Sequence, residues 1–412
     1  MNRDGWQRLR ADSWLPFAAF LLLSGLGIIG ITWANHRFAE SAPGGTDFLV
    51  HWVGMRAILK GENPYSDATA LEIQTMVYGR PAVPGEHELR VAYPLYGEFL
   101  FLPFAWISDF SWARALWMTV LEICAAALGG FCLVLSGSAW TRWQRICFLL
   151  FSILWYFGIR AIINGNAIIL ISLFLGISIF CAKRNWNAAA GFFLACCTIK
   201  PQVAILPVLS VLLWGIHTRR FRMVYAFGAV MAVFVGLSFA VLPTWLADNW
   251  SEIVRYPLYS PPGTPADAIQ AMAGAGGYWA GGLLSVSIWI FVLYAWMNLF
   301  RTREEGSLFL IGMTILLAPL SGIPTDPGNE FLLLLPLTLI LSEKYPNPIS
   351  AMRFAGILGA VFIGLWALFF LTVQKEGPPI QHPVMLFPMP FFMLVVWLWD
   401  GWRARRKKPY PS

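Results

Sequence analysis

Apolar segments recur along the whole chain, with short polar gaps between them. Many of these segments approach the roughly 20 apolar residues that a bilayer-spanning helix needs. This pattern predicts an all-α, polytopic membrane protein with about 12 transmembrane helices and additional interfacial helices. The first segment has no small-residue cleavage site, and we interpret it as a retained helix. The predicted spans are 14–35, 112–135, 146–160, 166–182, 187–199, 202–216, 223–242, 281–299, 307–319, 330–342, 351–372 and 384–400.

The composition excludes an ordinary soluble protein. The chain is 58% hydrophobic and 12% charged, with a mean hydropathy of +0.62. About two thirds of the 29 basic residues fall in gaps on one side of the predicted spans. By the positive-inside rule, both termini are then cytoplasmic. These cytoplasmic anchors account for the net charge of +7 through attraction to membrane lipids, so no nucleic-acid partner is expected.

The stretch 187–216 decides the topology of everything that follows it. Two short apolar segments meet there at Lys200 and Pro201. If they formed one long kinked helix, every later loop would change sides. The distribution of basic residues favours a hairpin instead, with Lys200 near its outer tip.

Two long segments, 36–111 and 243–280, lie on the outer side of this topology, and both are too apolar and aromatic for disordered linkers. We treat 1–412 as one domain whose chemistry lies on the side of these segments. An apolar stripe at helical spacing predicts an amphipathic helix lying flat in the outer interface, with Asp47 and His51 on another face. The stripe consists of Phe48, Trp52, Met55 and Leu59.

Three smaller features complete the outer side. Residues 99–106 are too short to span and are predicted to be interfacial or re-entrant, and 245–256 could form another surface helix. A turn at 321–330 contributes two acids at membrane depth. Another turn, at 160–166, joins the third and fourth spans.

Several of these residues together resemble glycosyltransferase family 87. The resemblance rests on an Asp followed by a short helix and Gly-x-Asn-Pro-Tyr at 61–65, on Tyr-Pro at 93–94, on Gly-Asn at 165–166 and on Ile-Lys-Pro at 199–201. It covers about 45–345. The family belongs to the membrane-embedded GT-C class, and its known members include a mannosyltransferase that uses polyprenol-phosphate-mannose.

The resemblance implies an inverting hexosyl transfer, with mannose as the expected sugar. The donor would be a polyprenyl-phosphate sugar and the acceptor a lipid or glycan, on the outer face of a bacterial plasma (inner) membrane. The chain departs from the family at two places. Asn166 stands where Gln is common, and Asp326, Asn329 and Glu330 stand in a turn where His is common. Both departures affect expected sugar or acceptor contacts.

Such a transfer needs a base for the acceptor hydroxyl and a cation for the departing phosphate. Asp47 is the expected base, and the alternative reading is that it only caps its helix. Glu98 or Asp326 would serve if Asp47 does not. Lys200 is the expected phosphate ligand, because an ionisable group among apolar residues is usually functional. Its alternative is a lysine that extends to the interface.

Arg160 is the expected second phosphate ligand, with Arg90 as a further candidate; either could instead pair with Glu98 or Asp326. His51 could contact sugar hydroxyls or could simply be solvated. No Asp-x-Asp pair appears in the first outer segment, which disfavours a nucleotide-sugar donor bridged by a metal. We expect no metal ligand and no cofactor. The residues expected to bind substrate are His51, Asn166, Glu98, Asp326, Asn329 and Glu330.

Two other functions remain open at this point. A transporter or flippase of a lipid-linked saccharide would use the same apolar, cationic groove, but we find no two-fold repeat of the kind that such proteins often show. A polymerase or ligase of the same membrane class would differ mainly in its acceptor. If the enzyme hypothesis is right, Asp47, Lys200 and the 321–330 turn should converge on one cavity.

Overall fold

The described part of the chain is built of helices and contains no strand. The computed structural model describes residues 3–136, 140–260, 263–299, 304–344, 351–374 and 381–406. In chain order the α-helices are α1 (Arg3–Ser41), α2 (Thr46–Leu59), α3 (Asp67–Tyr78), α4 (Leu95–Glu98), α5 (Leu102–Ala105), α6 (Phe110–Ser136), α7 (Arg142–Leu154), α8 (Tyr156–Asn164), α9 (Ile168–Lys183), α10 (Asn187–Cys196), α11 (Pro201–His217), α12 (Phe221–Val241), α13 (Trp245–Arg255), α14 (Pro265–Ala273), α15 (Ala275–Leu299), α16 (Glu304–Leu317), α17 (Leu334–Lys344), α18 (Ala351–Thr372) and α19 (Pro388–Arg406). Short 3-10 helices include Phe99–Phe101, Cys197–Ile199, Tyr256–Leu258, Ala318–Leu320, Pro327–Leu333 and Pro383–Leu386.

The apolar helices confirm an all-α polytopic membrane protein. Among the described residues, five helices are each long and apolar enough to cross a bilayer: most of α1, and α6, α12, α15 and α18. Helices α7 and α8 form a sixth candidate, bent by 43°. Most of the other predicted spans are helical too but only 10–17 residues long, so fewer than the predicted dozen qualify by length alone. The apolar residues of α1 and α12 stay largely outside the packed interior, as expected where the neighbour is lipid.

Helices α10 and α11 form a hairpin, as the basic residues indicated. At its open end, Gly191 of α10 and Gly215 of α11 both lie against Met223 at the start of α12. At its closed end, the Thr198 hydroxyl contacts the Met231 sulfur, two turns further along α12. Arg220 donates to the Ala182 carbonyl and thereby joins the two loops at the open end. Lys200 therefore lies at the tip, at the opposite end from these loops.

Helix α2 is not the flat interfacial helix that its apolar stripe predicted. Nine of its 14 residues are buried, and they include His51 and Gly54 from the face expected to be polar. Phe48 stacks with Trp117 of α6, while Gly54 lies against Val91 on another side. Protein therefore packs against both faces of the helix. The apolar stripe identified one of these buried faces and missed the other.

The two long segments pack on each other as one unit, which we call the loop layer: residues 46–105 together with α13. The expected helix at 245–256 is present as α13. Its polar face points inward, where Glu252 binds Arg90 at 2.7 Å and Asn249 donates to the Tyr93 carbonyl at 2.9 Å. The outward face of α13 is apolar and includes exposed Trp250. The loop layer thus holds two distant parts of the sequence together through buried polar contacts.

The close approach of α10 to α12 generates the first prediction. A methyl group added at Gly191 would overlap the Met223 carbonyl and lie 2.8 Å from the Phe227 nitrogen. We expect Gly191→Ala to lower the free energy of unfolding by about 1–3 kcal/mol, because backbone atoms cannot move aside cheaply. The measurement is thermal or denaturant unfolding in detergent.

Gly228→Ala on α12 is the matched control, since nothing lies within 4 Å of the added methyl group. It should leave stability unchanged or raise it by up to about 1 kcal/mol through helix propensity. Equal effects of the two substitutions would contradict the packing of α10 on α12.

Candidate functional site

A buried arginine fixes the start of α2 and therefore the position of Asp47. Arg114 donates to the carbonyl oxygens of Ala42 and Pro43, at 3.0 and 3.1 Å, and to that of Ile163 at 3.1 Å. Gly45 begins the helix with a φ of 81°, and a side chain there would collide with Arg114. The segment before Asp47 is thus tied to the end of α8.

The Asp47 carboxylate is not engaged by a side-chain partner in the described part of the chain. No side chain caps the start of α2, so the capping role is wrong. Among the described residues, no donor hydrogen-bonds to this half-buried carboxylate. Desolvation raises the pKa of Asp47 above its ordinary value, and the charge of Lys200 opposes that rise. Asp326, Arg160 and His51 also act on its charge, so all four groups lie near it.

Lys200 points into the protein rather than toward the surface. It is 4% exposed, and its ammonium donates to Asn166 Oδ1 at 2.8 Å. The ammonium also lies 5.6 Å from the ring centroid of Tyr93. Burial lowers the pKa of Lys200, while Asp47 and Asp326 act in the opposite direction. The reading of Lys200 as a lysine that extends to the interface is therefore wrong.

Hydrogen bonds extend from Lys200 into the 321–330 turn. Asn166 donates to Asn329 Oδ1 at 3.2 Å, and Asn329 donates to the Thr325 hydroxyl at 2.9 Å. Gly165 precedes Asn166 with a φ of 73°, and a Cβ there would lie 2.5 Å from the Phe48 Cβ. The backbone at 165 therefore needs glycine, both for its conformation and for the contact with α2.

Arg160 and Asp326 form an ion pair at 3.1 Å. Asp326 also accepts from the Gly328 amide at 2.6 Å. Desolvation by the protein raises the pKa of Asp326, but Arg160 and the Gly328 amide outweigh it, and the net shift is downward. Asp326 is thus held as an engaged carboxylate, which makes it a poorer base than Asp47. The Arg160 Nε is buried and has no partner among the described residues.

His51 is not solvated, since it is buried in a pair with Glu98. Its Nδ1 lies 2.9 and 3.1 Å from the two Glu98 oxygens, and the two residues are 3% and 0% exposed. The imidazole stacks on Phe101 at 4.1 Å and contacts Tyr93 at 4.5 Å. Burial raises the pKa of Glu98, and His51 opposes that rise. Glu98 therefore pairs with His51 and with neither Arg90 nor Arg160.

Glu330 lies behind Asn329, at the edge of the site. It is 1% exposed, and neither carboxyl oxygen has a partner within the described residues. It lines a cavity of about 20 Å³ together with Gln202, Thr325 and Asn329. A cavity of this size holds about one water molecule. Unlike Asp326, Glu330 is not among the groups that act electrostatically on Asp47.

Sequence reasoning missed two residues that shape the site, Tyr93 and Arg114, and assigned a different role to a third, Arg90. Tyr93 lies between His51 and Lys200, although only its place in the Tyr-Pro motif drew attention to it. Arg114 lies near the start of the predicted span 112–135, and an arginine beside an apolar helix is the signal that could have found it. Arg90 binds Glu252 and Asp67, each at 2.7 Å, so it holds the loop layer and pairs with neither Glu98 nor Asp326.

Comparison with known proteins identifies the family of the chain. A family model described as glycosyltransferase family 87 matches residues 92–321, which is more than half of the chain. The chain belongs to glycosyltransferase family 87. This family 87 protein is therefore a membrane glycosyltransferase. The match includes Glu98, Arg160, Asn166 and Lys200, whereas Asp47 precedes it. Searches of curated proteins and of solved structures give no match.

The buried bond between Lys200 and Asn166 generates the second prediction. We expect Asn166→Leu to destabilise the protein, because the ammonium has no other hydrogen-bond acceptor among the described side chains. In a Lys200→Met background the same substitution should lower the free energy of unfolding by about 1.5–3 kcal/mol less than it does in the wild type. Unfolding of the four proteins in detergent gives this coupling energy.

The bonds from Asn166 to Asn329 and to the Ile168 amide are lost in both backgrounds, so they cancel in the cycle. If the losses in unfolding free energy of the two single variants add up to that of the double variant within about 0.5 kcal/mol, Asn166 does not stabilise the buried Lys200 ammonium.

Proposed function

We propose that this family 87 glycosyltransferase moves a hexose, with mannose as the first candidate, from a polyprenyl-phosphate sugar to a lipid or glycan acceptor. The reaction inverts the anomeric carbon. The supporting observation is the unengaged, half-buried Asp47 carboxylate beside the buried Lys200 ammonium, whose charges act on each other. A base and a phosphate-binding cation are the two groups that such a transfer needs.

Asp47 acts as the base in a single displacement. Its carboxylate takes the proton of the acceptor hydroxyl while that oxygen forms a bond to the anomeric carbon. The bond from this carbon to the phosphate oxygen breaks, and the polyprenyl phosphate leaves with the electron pair. Desolvation supports the role, because it raises the pKa of Asp47 toward values at which a carboxylate accepts protons well.

Lys200 and Arg160 bind the phosphate of the donor. Lys200 is held rigidly by Asn166, so its ammonium reaches a fixed place at the hairpin tip. Arg160 already pairs with Asp326, but its buried Nε has no partner within the described residues and can still donate to a phosphate oxygen. Two cations at one place favour the charge that develops on the leaving group.

The remaining candidates contact or support the substrate. His51 and Asp326 act electrostatically on Asp47 and lie where sugar hydroxyls would bind. Asn166 and Asn329 hold Lys200, Glu98 holds His51, and Glu330 lies behind Asn329. We further propose that 1–412 acts as one domain, with 36–111 and 243–280 on the substrate side.

The third prediction tests the base. Asp47→Asn should lower kcat for hexose transfer from a synthetic polyprenyl-phosphate hexose by about 10²–10⁴-fold, because an amide cannot accept the proton. KM for the donor should change little, since Lys200 and Arg160 remain. The measurement is product formation by the purified protein in detergent or nanodiscs, with mannose and other hexoses compared.

Glu62→Gln is the control, an exposed carboxylate in the same loop layer that should retain full activity. Full activity of Asp47→Asn would sink the proposed mechanism. Movement of labelled lipid across proteoliposomes without any glycosylated product would instead favour a flippase.

We place the site on the outer face of a bacterial plasma membrane, with both termini in the cytoplasm. The support is the excess of basic residues at the end of the bundle opposite Lys200. The fourth prediction uses Glu62→Cys and Lys183→Cys, both at exposed positions, in a Cys147→Ser background. The five other cysteines are free and buried, so the folded protein shields them from the reagent.

In intact cells, a membrane-impermeant maleimide should label the cysteine at 62 and leave the one at 183 unlabelled until the cells are lysed. The opposite pattern would place the site in the cytoplasm and overturn the proposed orientation.

A further inference from the structure

The His51–Glu98 pair has a geometry that substrate binding alone does not require. Both residues are almost completely buried, and they come from α2 and α4, 47 positions apart. Phe101 covers one part of the imidazole with nearly parallel rings, at an interplanar angle of 6°, and Tyr93 packs against it as well. With Nδ1 engaged by Glu98, these contacts fix the orientation of the ring.

One polar atom of this ring remains unused. Nε2 has no hydrogen-bond partner among the described residues. It is also not completely enclosed by protein. Residues four apart on a helix share a face, so His51 lies on the same side of α2 as Asp47. The charge of His51 also acts on Asp47. With Nδ1 bound to Glu98, Nε2 is the ring nitrogen left for proton transfer, on a residue one helical turn from the proposed base.

A carboxylate bound to Nδ1 has two effects on an imidazole. It holds the hydrogen on Nδ1, which leaves the Nε2 lone pair free, and it stabilises the imidazolium that forms when Nε2 accepts a proton. The surroundings strengthen both effects, because Glu98 is shielded from water and has His51 as its bonded partner. An imidazole held in this way is already oriented for proton transfer.

We propose that His51, oriented by Glu98, is a second catalytic residue that receives the acceptor proton from Asp47. This inference rests on the proposed function. The acceptor hydroxyl gives its proton to Asp47 as the new glycosidic bond forms and the bond to phosphate breaks. Asp47 then passes the proton to His51 Nε2, which becomes an imidazolium paired with the Glu98 carboxylate. After product release, the proton leaves to water and both groups are restored.

Glu98 is a positioning residue in this scheme, since it acts through His51. Removing the Glu98 carboxylate should therefore lower kcat less than removing the His51 imidazole does. We expect His51→Gln to lower kcat by about 10²-fold or more with little change in donor KM. Glu98→Gln keeps an oxygen for the Nδ1 hydrogen but removes the charge that stabilises the imidazolium. The kcat of Glu98→Gln should therefore lie between those of His51→Gln and the wild type.

Chemical rescue separates proton transfer from a structural role. In His51→Ala, the space beside Phe101 and Tyr93 can admit free imidazole, which should restore at least a tenth of the lost activity at millimolar concentrations. His36→Ala is the matched control, because His36 is also a buried histidine packed on an aromatic ring, that of Trp112. Imidazole should not change its activity.

The outcomes separate the two proposals. If the wild type transfers hexose and His51→Gln stays within twofold of it, the relay is overturned and the proposed function stands. The relay is also overturned if His51→Ala unfolds like the wild type yet gains nothing from imidazole. If His51→Ala does not fold, His51→Gln and Glu98→Gln decide by their order of kcat. A wild type that transfers no sugar overturns both proposals.

Discussion

The ammonium of Lys200 imposes the constraint on which the site depends. A charge removed from water inside an apolar bundle is very costly unless it has a partner. The hairpin of α10 and α11 carries Lys200 into the protein, and the partner is Asn166 at 2.8 Å. Asn166 is bonded in turn to Asn329. One buried charge thus ties together three gaps between apolar helices that are far apart in the sequence.

The loop layer adds buried polar bonds to its apolar packing, and these bonds hold its two parts, which are distant in the sequence, in one arrangement. Its two parts are joined by Arg90 with Glu252, by Asn249 with the Tyr93 carbonyl, and by Asn63 with Asp248. These bonds are shielded from solvent to different degrees, and the buried ones are the strongest. Because Tyr93 contacts both His51 and Lys200, the fixed backbone of this segment also fixes the space between them.

Much of the fold could be predicted from the sequence because length and hydropathy constrain helices in a bilayer directly. The hairpin at Lys200 followed from the distribution of charge. The needs of one reaction led us to expect Lys200 near the 321–330 turn, and hydrogen bonds through Asn166 to Asn329 join the two. The burial of α2 could not be predicted from the sequence. An apolar stripe identifies one buried face of a helix, but it cannot show that protein also covers the opposite face. The pairing of His51 with Glu98 depends on tertiary packing across 47 residues, which no local pattern reports.

Helix α13 reverses the usual arrangement of an amphipathic helix. Its Asn249 and Glu252 are buried against protein, and Trp250 and Val254 project outward. Ordinary water would favour the reverse orientation, so the surroundings of this helix take part in holding it. The loop layer is then clamped by polar bonds on the inside and by an apolar medium on the outside. A helix with this orientation is suited to the membrane interface, where lipid would complete the outer side of the loop layer.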